Sequence, residues 1–185
     1  MSAAAEQAVG SQRHVDLHVL GQLIGAARAL ELMLFEVLGN WVADAEPAAL
    51  RPLLATCAHH HAWHAELWLA RFPTLPGAGA ESATDAGRLR LERLESVLRQ
   101  LPGTDERMGA TFGVVVPRYA AWCSSLRATI DHRLDPSTAR VLDLVGRDLH
   151  DDGRAIEAFT ATTPTMDLDV LDGALSDVEV LRPRE

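Results

Sequence analysis

The sequence contains no lysine, and all 17 of its basic residues are arginines. A mechanism that forms a Schiff base on a lysine amine is therefore excluded. Aromatic residues make up only 5% of the chain and β-branched runs are few, whereas Leu and Ala are abundant. Because Leu and Ala are strong helix formers, this composition favours an all-α fold.

Clustered positive charge is also missing, and the net charge is −9. Phosphate binding needs clustered cations, so we expect neither a nucleic-acid partner nor binding to an anionic membrane surface. The opening residues MSAAAEQAVGSQR lack the apolar core of a signal peptide, and no apolar run approaches the roughly 20 residues of a membrane span. We therefore expect a cytoplasmic protein. Its expected partner is a small-molecule substrate, and a homodimer is one possible assembly.

Several other chemical signatures are scarce or absent. The two cysteines, Cys57 and Cys123, fall within predicted helices, and in a reducing compartment we expect both to be free, buried thiols. The sequence has no Gly-x-Ser-x-Gly nucleophile elbow and no phosphate-binding loop. Hydrolysis by a serine triad and nucleotide binding are therefore not expected.

Apolar residues recur at intervals of three and four, which predicts a series of helices. The predicted helices cover residues 15–43, 47–71, 87–103, 105–134 and 137–159. Pro117 lies inside the fourth of these and is expected to interrupt it near Gly113.

The order of these segments predicts how they pack. Two long helices with a short turn, a long linker that holds an extra short helix, and two further helices predict a four-helix bundle with one long crossover. We expect this bundle over residues 15–160. Residues 1–14 are predicted to be a flexible N-terminus, and 161–185 an acidic tail without helical period, either disordered or docked on the bundle.

The stretch HHHAWHAE, residues 59–66, brings four imidazoles and a carboxylate into a helix. Helical geometry separates them. His61 and His64 continue the apolar stripe of their helix and can point at one centre, whereas His60 lies at its margin. His59 and Glu66 are expected to face water.

Other polar side chains also fall on predicted core faces, where an unpaired polar group is unfavourable. Glu31 lies on the stripe of the first helix and Tyr119 on that of the penultimate one. Asp148 and Asp152 lie on the stripe of the last helix, with Asp151 as an alternative. At a rise of 1.5 Å per residue, Glu31, His61, Tyr119 and Asp148 are predicted to share one level of the bundle.

Imidazole and carboxylate groups in a dry interior suit a divalent transition metal. A buried polar network or a pocket for an apolar ligand is the alternative. The layout over residues 15–160 resembles the ferritin-like superfamily of di-iron carboxylate proteins, whose helices supply Glu, Glu-x-x-His, Glu and Glu-x-x-His. Glu31 matches the first position, His61 and His64 occupy the second, and Asp148 with Asp151 occupies the fourth. The third-helix carboxylate has no counterpart unless Tyr119 or Cys123 takes its place. These departures from the pattern favour a mononuclear site, an asymmetric pair or a lost site.

Three functions follow from these residues and this resemblance. The first is a metal-dependent oxidase or oxygenase acting on a small molecule, with iron as the expected metal and Mn or Zn as alternatives. Its ligands would be drawn from a set of six, Glu31, His61, His64, Asp148, His60 and Asp151. Tyr119 would lie beside the open position.

The second function is a non-redox zinc enzyme in which Asp152 or Asp151 acts as general base. The third is a non-enzymatic bundle that binds a ligand or a partner protein and holds a degenerate metal site.

Overall fold

A computed structural model describes residues 16–74, 76–77, 79–159 and 168–181, and in these ranges the chain is all-α without a strand. The all-α prediction is therefore confirmed. The elements are α1 (Leu17–Trp41), a 3₁₀ turn (Ala48–Leu50), α2 (Arg51–Arg71), α3 (Ala80–Arg99), α4 (Thr104–Ala110), α5 (Val116–Thr129), α6 (Pro136–Glu157), α7 (Leu168–Leu175) and a second 3₁₀ turn (Glu179–Leu181).

Carboxylates cap the starts of α1 and α6. Asp16 Oδ1 accepts a hydrogen bond from the backbone N–H of His18 at 2.7 Å, and Asp135 Oδ1 accepts one from that of Thr138 at 3.0 Å. The first turn of a helix leaves its N–H groups without partners, and its positive dipole end favours an anion. These two aspartates therefore fix where both helices begin.

Side-chain pairs between helices establish the direction in which α2 and α6 run. His60 contacts Asp152, and Arg71 at the end of α2 donates to Thr138 near the start of α6. The order of the two pairs is reversed between the helices, so α2 and α6 are antiparallel.

The same reasoning applies to α1 and the segment formed by α4 and α5. Arg107 of α4 donates to Asp44, just after α1, while Tyr119 of α5 donates to Glu31 in the middle of α1. These helices are therefore antiparallel. Because α1 and α2 are joined by a short connection and are also antiparallel, α2 and α5 run one way and α1 and α6 the other.

Buried residues of α1, α2, α5 and α6 form one continuous core. Leu34, Leu54, Leu126 and Val145 are completely buried representatives of the four helices. Each such side chain contributes roughly 1.5–3 kcal/mol through removal of its apolar surface from water. Both cysteines are free and buried, as predicted.

By length and composition α1 is apolar enough to cross a membrane, although 61% of the relevant window is buried within the protein. The helix packs against α2 on one side and α3 on another. A helix enclosed on two sides is apolar over much of its surface, which accounts for its composition.

Helix α3 begins at Ala80 and is longer than the segment 87–103 predicted from apolar periodicity. Its first two turns contain small residues, which carry little periodic signal. With ideal geometry, a Cβ added to Gly25 would lie 2.7 Å from the backbone carbonyl carbon of Ala83, and one added to Gly87 would lie 2.8 Å from the Cβ of Ala29. The small residues therefore allow the backbones of α1 and α3 to approach closely.

The interruption predicted near Gly113 takes the form of a π-helical turn, Thr111–Val115, which joins α4 to α5. Pro117 follows in the first turn of α5. Proline cannot donate a backbone hydrogen bond, and its ring clashes with the preceding turn. A π-turn accommodates the extra residue without breaking the helix.

The end of the chain differs from the acidic tail without helical period that the sequence predicted. Residues 168–181 form α7 and the second 3₁₀ turn, and bury Leu171, Leu175 and Val180 completely. These residues contact α3, α5 and α1. The helix has only eight residues, and its formation depends on docking, because isolated helices this short are unstable. Residues 1–14, and the prediction that they are flexible, lie outside the described residues.

We predict that Gly25→Ala destabilises the protein by about 1–3 kcal/mol, because the added methyl group would clash with the Ala83 backbone and push α1 away from α3. Gly39→Ala is the matched control in the same helix, since a Cβ there meets nothing within 4 Å. It should be neutral or stabilising by about 0.5–1 kcal/mol. Urea unfolding measures both, and equal stability of the two variants would contradict the close packing described here.

Candidate metal centre

The side chain of Glu31 is the centre of a buried polar cluster. Its Oε2 lies 2.5 Å from His61 Nδ1, and its Oε1 accepts a hydrogen bond from the hydroxyl of Tyr119 at 2.8 Å. Nδ1 of His64 lies 3.4 Å from the same Oε1. All four side chains are at most 1% exposed. Three helices thus contribute polar groups to one dry position.

The local sequence explains how these groups come together. Glu31 follows Ala27 by one helical turn on the buried face of α1 and is completely buried. His61 and His64 are three residues apart in α2, which puts them on one face of that helix. Tyr119 lies in the first turn of α5, directly after the π-turn. The prediction that His61 and His64 face the core is confirmed.

Trp68 fixes the orientation of the Tyr119 hydroxyl. Its indole N–H donates to the Tyr119 oxygen at 3.0 Å, while that hydroxyl donates to Glu31. The ring of Trp122 stacks on Tyr119 with centroids 5.9 Å apart. Trp68 was not among the predicted site residues, although its position one turn after His64, on the same helical face, was a usable signal.

Asp148 binds the opposite side of the His64 ring. Its Oδ2 lies 3.0 Å from His64 Nε2, and the Asp148 side chain is 22% exposed. This contact directs Nδ1 of His64 toward Glu31. Nδ1 is buried and has no hydrogen-bond partner among the residues that the structure describes. Asp148 therefore contacts the cluster only at His64 among the described residues and does not contact Glu31 directly.

The charges of the cluster are strongly coupled. Burial raises the pKa of Glu31, but the charge and hydrogen bond of His61 and the charge of His64 outweigh it and lower that pKa from 4.5 to about 2. For His64, burial lowers the pKa, and the two carboxylates of Glu31 and Asp148 outweigh burial and raise it. Without a metal, the ionised form of Glu31 is thus favoured, and the neighbouring carboxylates stabilise the protonated form of His64.

Two neighbouring groups stay neutral. Burial first, and then the charge of Glu31, raise the pKa of the Tyr119 phenol and of the Cys123 thiol far above their ordinary values. Both groups therefore keep their protons at neutral pH. Tyr119 is available as a hydrogen-bond donor, and Cys123 is a poor nucleophile because the thiolate is the reactive form.

Glu31, His61 and His64 could together hold a metal ion. Each offers one ligand atom, and the three atoms lie within 4.8 Å of one another. Two imidazoles and one carboxylate are the donor set of mononuclear non-haem Fe(II) centres and also of some catalytic zinc sites. The unpartnered Nδ1 of His64, directed at Glu31, is the atom that a metal would satisfy. The residues present therefore fit a divalent transition metal.

The remaining predicted ligands lie elsewhere. His60 is half-buried and its Nδ1 is 3.0 Å from both carboxylate oxygens of Asp152, forming a separate pair on the α2–α6 face. Burial and the charge of Asp152 raise the pKa of Cys57 beside this pair. Asp151 is exposed. His60, Asp151 and Asp152 therefore lie outside the group formed by Glu31, His61 and His64.

The exposure of the two end residues of the HHHAWHAE stretch agrees with the sequence analysis. His59 and Glu66 are both exposed, as predicted. Four histidines close together in sequence thus occupy three environments. Two lie in the Glu31 cluster, one pairs with Asp152 and one faces solvent.

We predict that Glu31→Gln destabilises the metal-free protein by about 3 kcal/mol at pH 7, because it removes the charge that His61 and His64 pair with. Since the folded pKa of Glu31 is lowered to about 2, the stability from its ionised form is present above pH 4.5 and lost as the pH falls toward 2. Urea unfolding at several pH values should show a weaker acid loss in Glu31→Gln. Glu66→Gln, at an exposed position, is the control; an identical pH profile for all three proteins would refute the coupling.

Comparison of the chain with protein-family models, curated proteins and solved structures found no match.

Proposed function

We propose that this chain is a mononuclear metal protein in which Glu31, His61 and His64 hold one divalent transition metal, Fe(II) foremost. The observation that carries the proposal is the buried Nδ1 of His64, which lacks a hydrogen-bond partner among the described residues and lies 3.4 Å from Glu31 Oε1. A buried polar atom without a partner is unfavourable by roughly 1–3 kcal/mol. A metal ion would turn that atom into a ligand.

The proposed activity is oxidation or oxygenation of a small molecule. The two imidazoles and one carboxylate leave coordination positions open, as in non-haem Fe(II) oxygenases. Bound iron supplies one-electron and dioxygen chemistry. The protein supplies a site from which bulk water is excluded, since Glu31, His61, His64 and Tyr119 are at most 1% exposed.

Two further contacts hold the proposed ligands in position. The Tyr119 hydroxyl donates to Glu31 Oε1 and accepts from Trp68, so it orients the carboxylate and leaves Oε2 toward His61. Asp148 accepts from His64 Nε2, which fixes the ring with Nδ1 toward Glu31. A carboxylate on the far nitrogen of a ligand histidine raises its basicity and orients its ring. In this proposal Asp148 is an orienting residue, not a ligand.

Helix order supports a ferritin-like bundle as the finer description of the fold. Helices α2 and α5 run one way and α1 and α6 the other, with α3 in the long connection between α2 and α4. The polar cluster lies near the middle of α1 and α2, as metal sites do in such bundles. The third bundle helix, α5, contributes Tyr119 instead of a carboxylate, which favours one metal over a bridged pair.

A zinc enzyme without redox chemistry is the second candidate, because its catalytic sites use the same two-histidine, one-glutamate set. It would need a general base, and Asp152 is bound to His60 outside the cluster. The metal-free polar network is the third candidate, since His61 and Tyr119 already bind Glu31. Metal content and dioxygen uptake distinguish the three.

We predict that protein reconstituted anaerobically with Fe(II) binds about one equivalent and that the iron form consumes dioxygen whereas the zinc form does not. His61→Ala and His64→Ala should each abolish stoichiometric binding, because each removes one of three ligands. His59→Ala, an exposed histidine of the same stretch, is the matched control and should bind as the wild type does. Elemental analysis and an oxygen electrode measure both properties.

In the same experiment, the variant Asp148→Asn tests whether Asp148 is a metal ligand or a residue that orients His64. Loss of an outer partner of a ligand histidine weakens metal binding by about 10- to 100-fold without abolishing it. Absence of stoichiometric Fe, Mn or Zn in the wild type would favour the metal-free network. Retention of metal by both histidine variants would show that it binds elsewhere.

A further inference from the structure

The side chains of the proposed metal centre are buried. Glu31 and Tyr119 are 0% exposed, and His61 and His64 are 1% and 0% exposed. A metal ion or a small substrate can reach this position only when some element moves aside. The element that moves is expected to be the one whose local unfolding requires the least free energy.

Around the centre, three of the four pairs of neighbouring bundle helices pack directly against each other. α1 packs on α2, α2 on α6, and α5 on α6. By contrast, α1 and α5 make few direct backbone contacts, although Glu31 and Tyr119 meet between them. The 3₁₀ turn Glu179–Leu181 contacts both α1 and α5, and its Val180 and Leu181 are at most 1% exposed. The C-terminal segment thus fills the seam between α1 and α5.

Ion pairs connect this segment to α5 and α3. Arg118, the residue before Tyr119, pairs with Asp172 of α7. Arg93 of α3 donates to the backbone oxygen of Gly173 at 3.2 Å and pairs with Asp177 at 3.5 Å. The two aspartates are each 55% exposed in their side chains. Exposed ion pairs are weak and are screened by salt, so docking of the segment depends mainly on its buried apolar residues, among them Leu171, Leu175 and Val180.

We propose that residues 168–181 form a movable cover over the seam between α1 and α5, and that its release admits small molecules to the Glu31 cluster. The proposal deepens the proposed function, because it names the route to that site. α1, α2 and α6 have 25, 21 and 22 residues, whereas the cover is a short helix and turn. Its undocking leaves the packing of those helices in place.

The two buried cysteines provide a test that needs no metal. Cys123 lies in α5 beside Tyr119 and Glu31, whereas Cys57 lies in α2 beside Asp152. Cys57 and Cys123 are 2% and 1% exposed, respectively. The raised pKa values of both thiols make alkylation slow until the surrounding structure opens. Alkylation rates of each cysteine in the native 185-residue chain, measured by mass spectrometry, therefore report opening on two different sides.

We predict that Val180→Asp, which puts a charge into the seam, raises the alkylation rate of Cys123 by about tenfold or more and leaves that of Cys57 within about twofold. Arg118→Gln should raise the Cys123 rate less. Arg127→Gln is its matched control in α5, because Arg127 pairs with Asp143 of α6 and not with the cover. Circular dichroism verifies that each variant is folded; if Val180→Asp is not, Arg118→Gln against Arg127→Gln decides.

Equal acceleration of both cysteines in a folded variant would mean that the segment stabilises the whole protein and would overturn the proposal. Unchanged Cys123 rates would overturn it as well. Release of iron to a chelator, measured on loaded protein, should accelerate in the same variants. A chain that binds no metal but shows selective exposure of Cys123 would retain the cover and lose the proposed function, so the two failures are distinguishable.

Discussion

The structure depends on one buried carboxylate. Glu31 is completely buried, and transfer of an ionised carboxylate from water to a protein interior is unfavourable by several kcal/mol unless other groups compensate. His61, His64 and Tyr119 provide that compensation from α2 and α5, so three helices are fixed at one level by one side chain. The same groups leave one imidazole nitrogen without a hydrogen-bond partner among the described residues. The buried cluster that joins α1, α2 and α5 is thus also the candidate metal centre.

Several elements contribute contacts around this centre. Trp68 orients Tyr119, and Asp148 orients His64 while it remains partly exposed. The separate His60–Asp152 pair lies outside them on the α2–α6 face. The C-terminal segment fills the seam between α1 and α5. The long helices keep bulk water away from the site, and the small docked cover admits ligands. Different elements therefore meet these two requirements.

Much of the inner site could be predicted from helical periodicity. Glu31, His61 and His64 each interrupt an apolar stripe, and the spacing alone separates His61 and His64 from His59. The role of Asp148 could not be predicted, because it depends on which ring nitrogen faces which carboxylate. The start of α3 and the existence of α7 were missed for another reason. Small residues that allow close approach, and a short helix that forms by docking, carry weak local signals.

The central claim is that Glu31, His61 and His64 hold a single metal. An anomalous-difference map of crystals loaded with Fe(II), recorded at the iron absorption edge, tests it most directly. We predict one peak among these three residues, about 2.1 Å from His64 Nδ1 as expected for a metal–imidazole bond, with Asp148 still bound to Nε2. A map without a peak there, or with the metal bound by Asp148 or between His60 and Asp152, would contradict the claim.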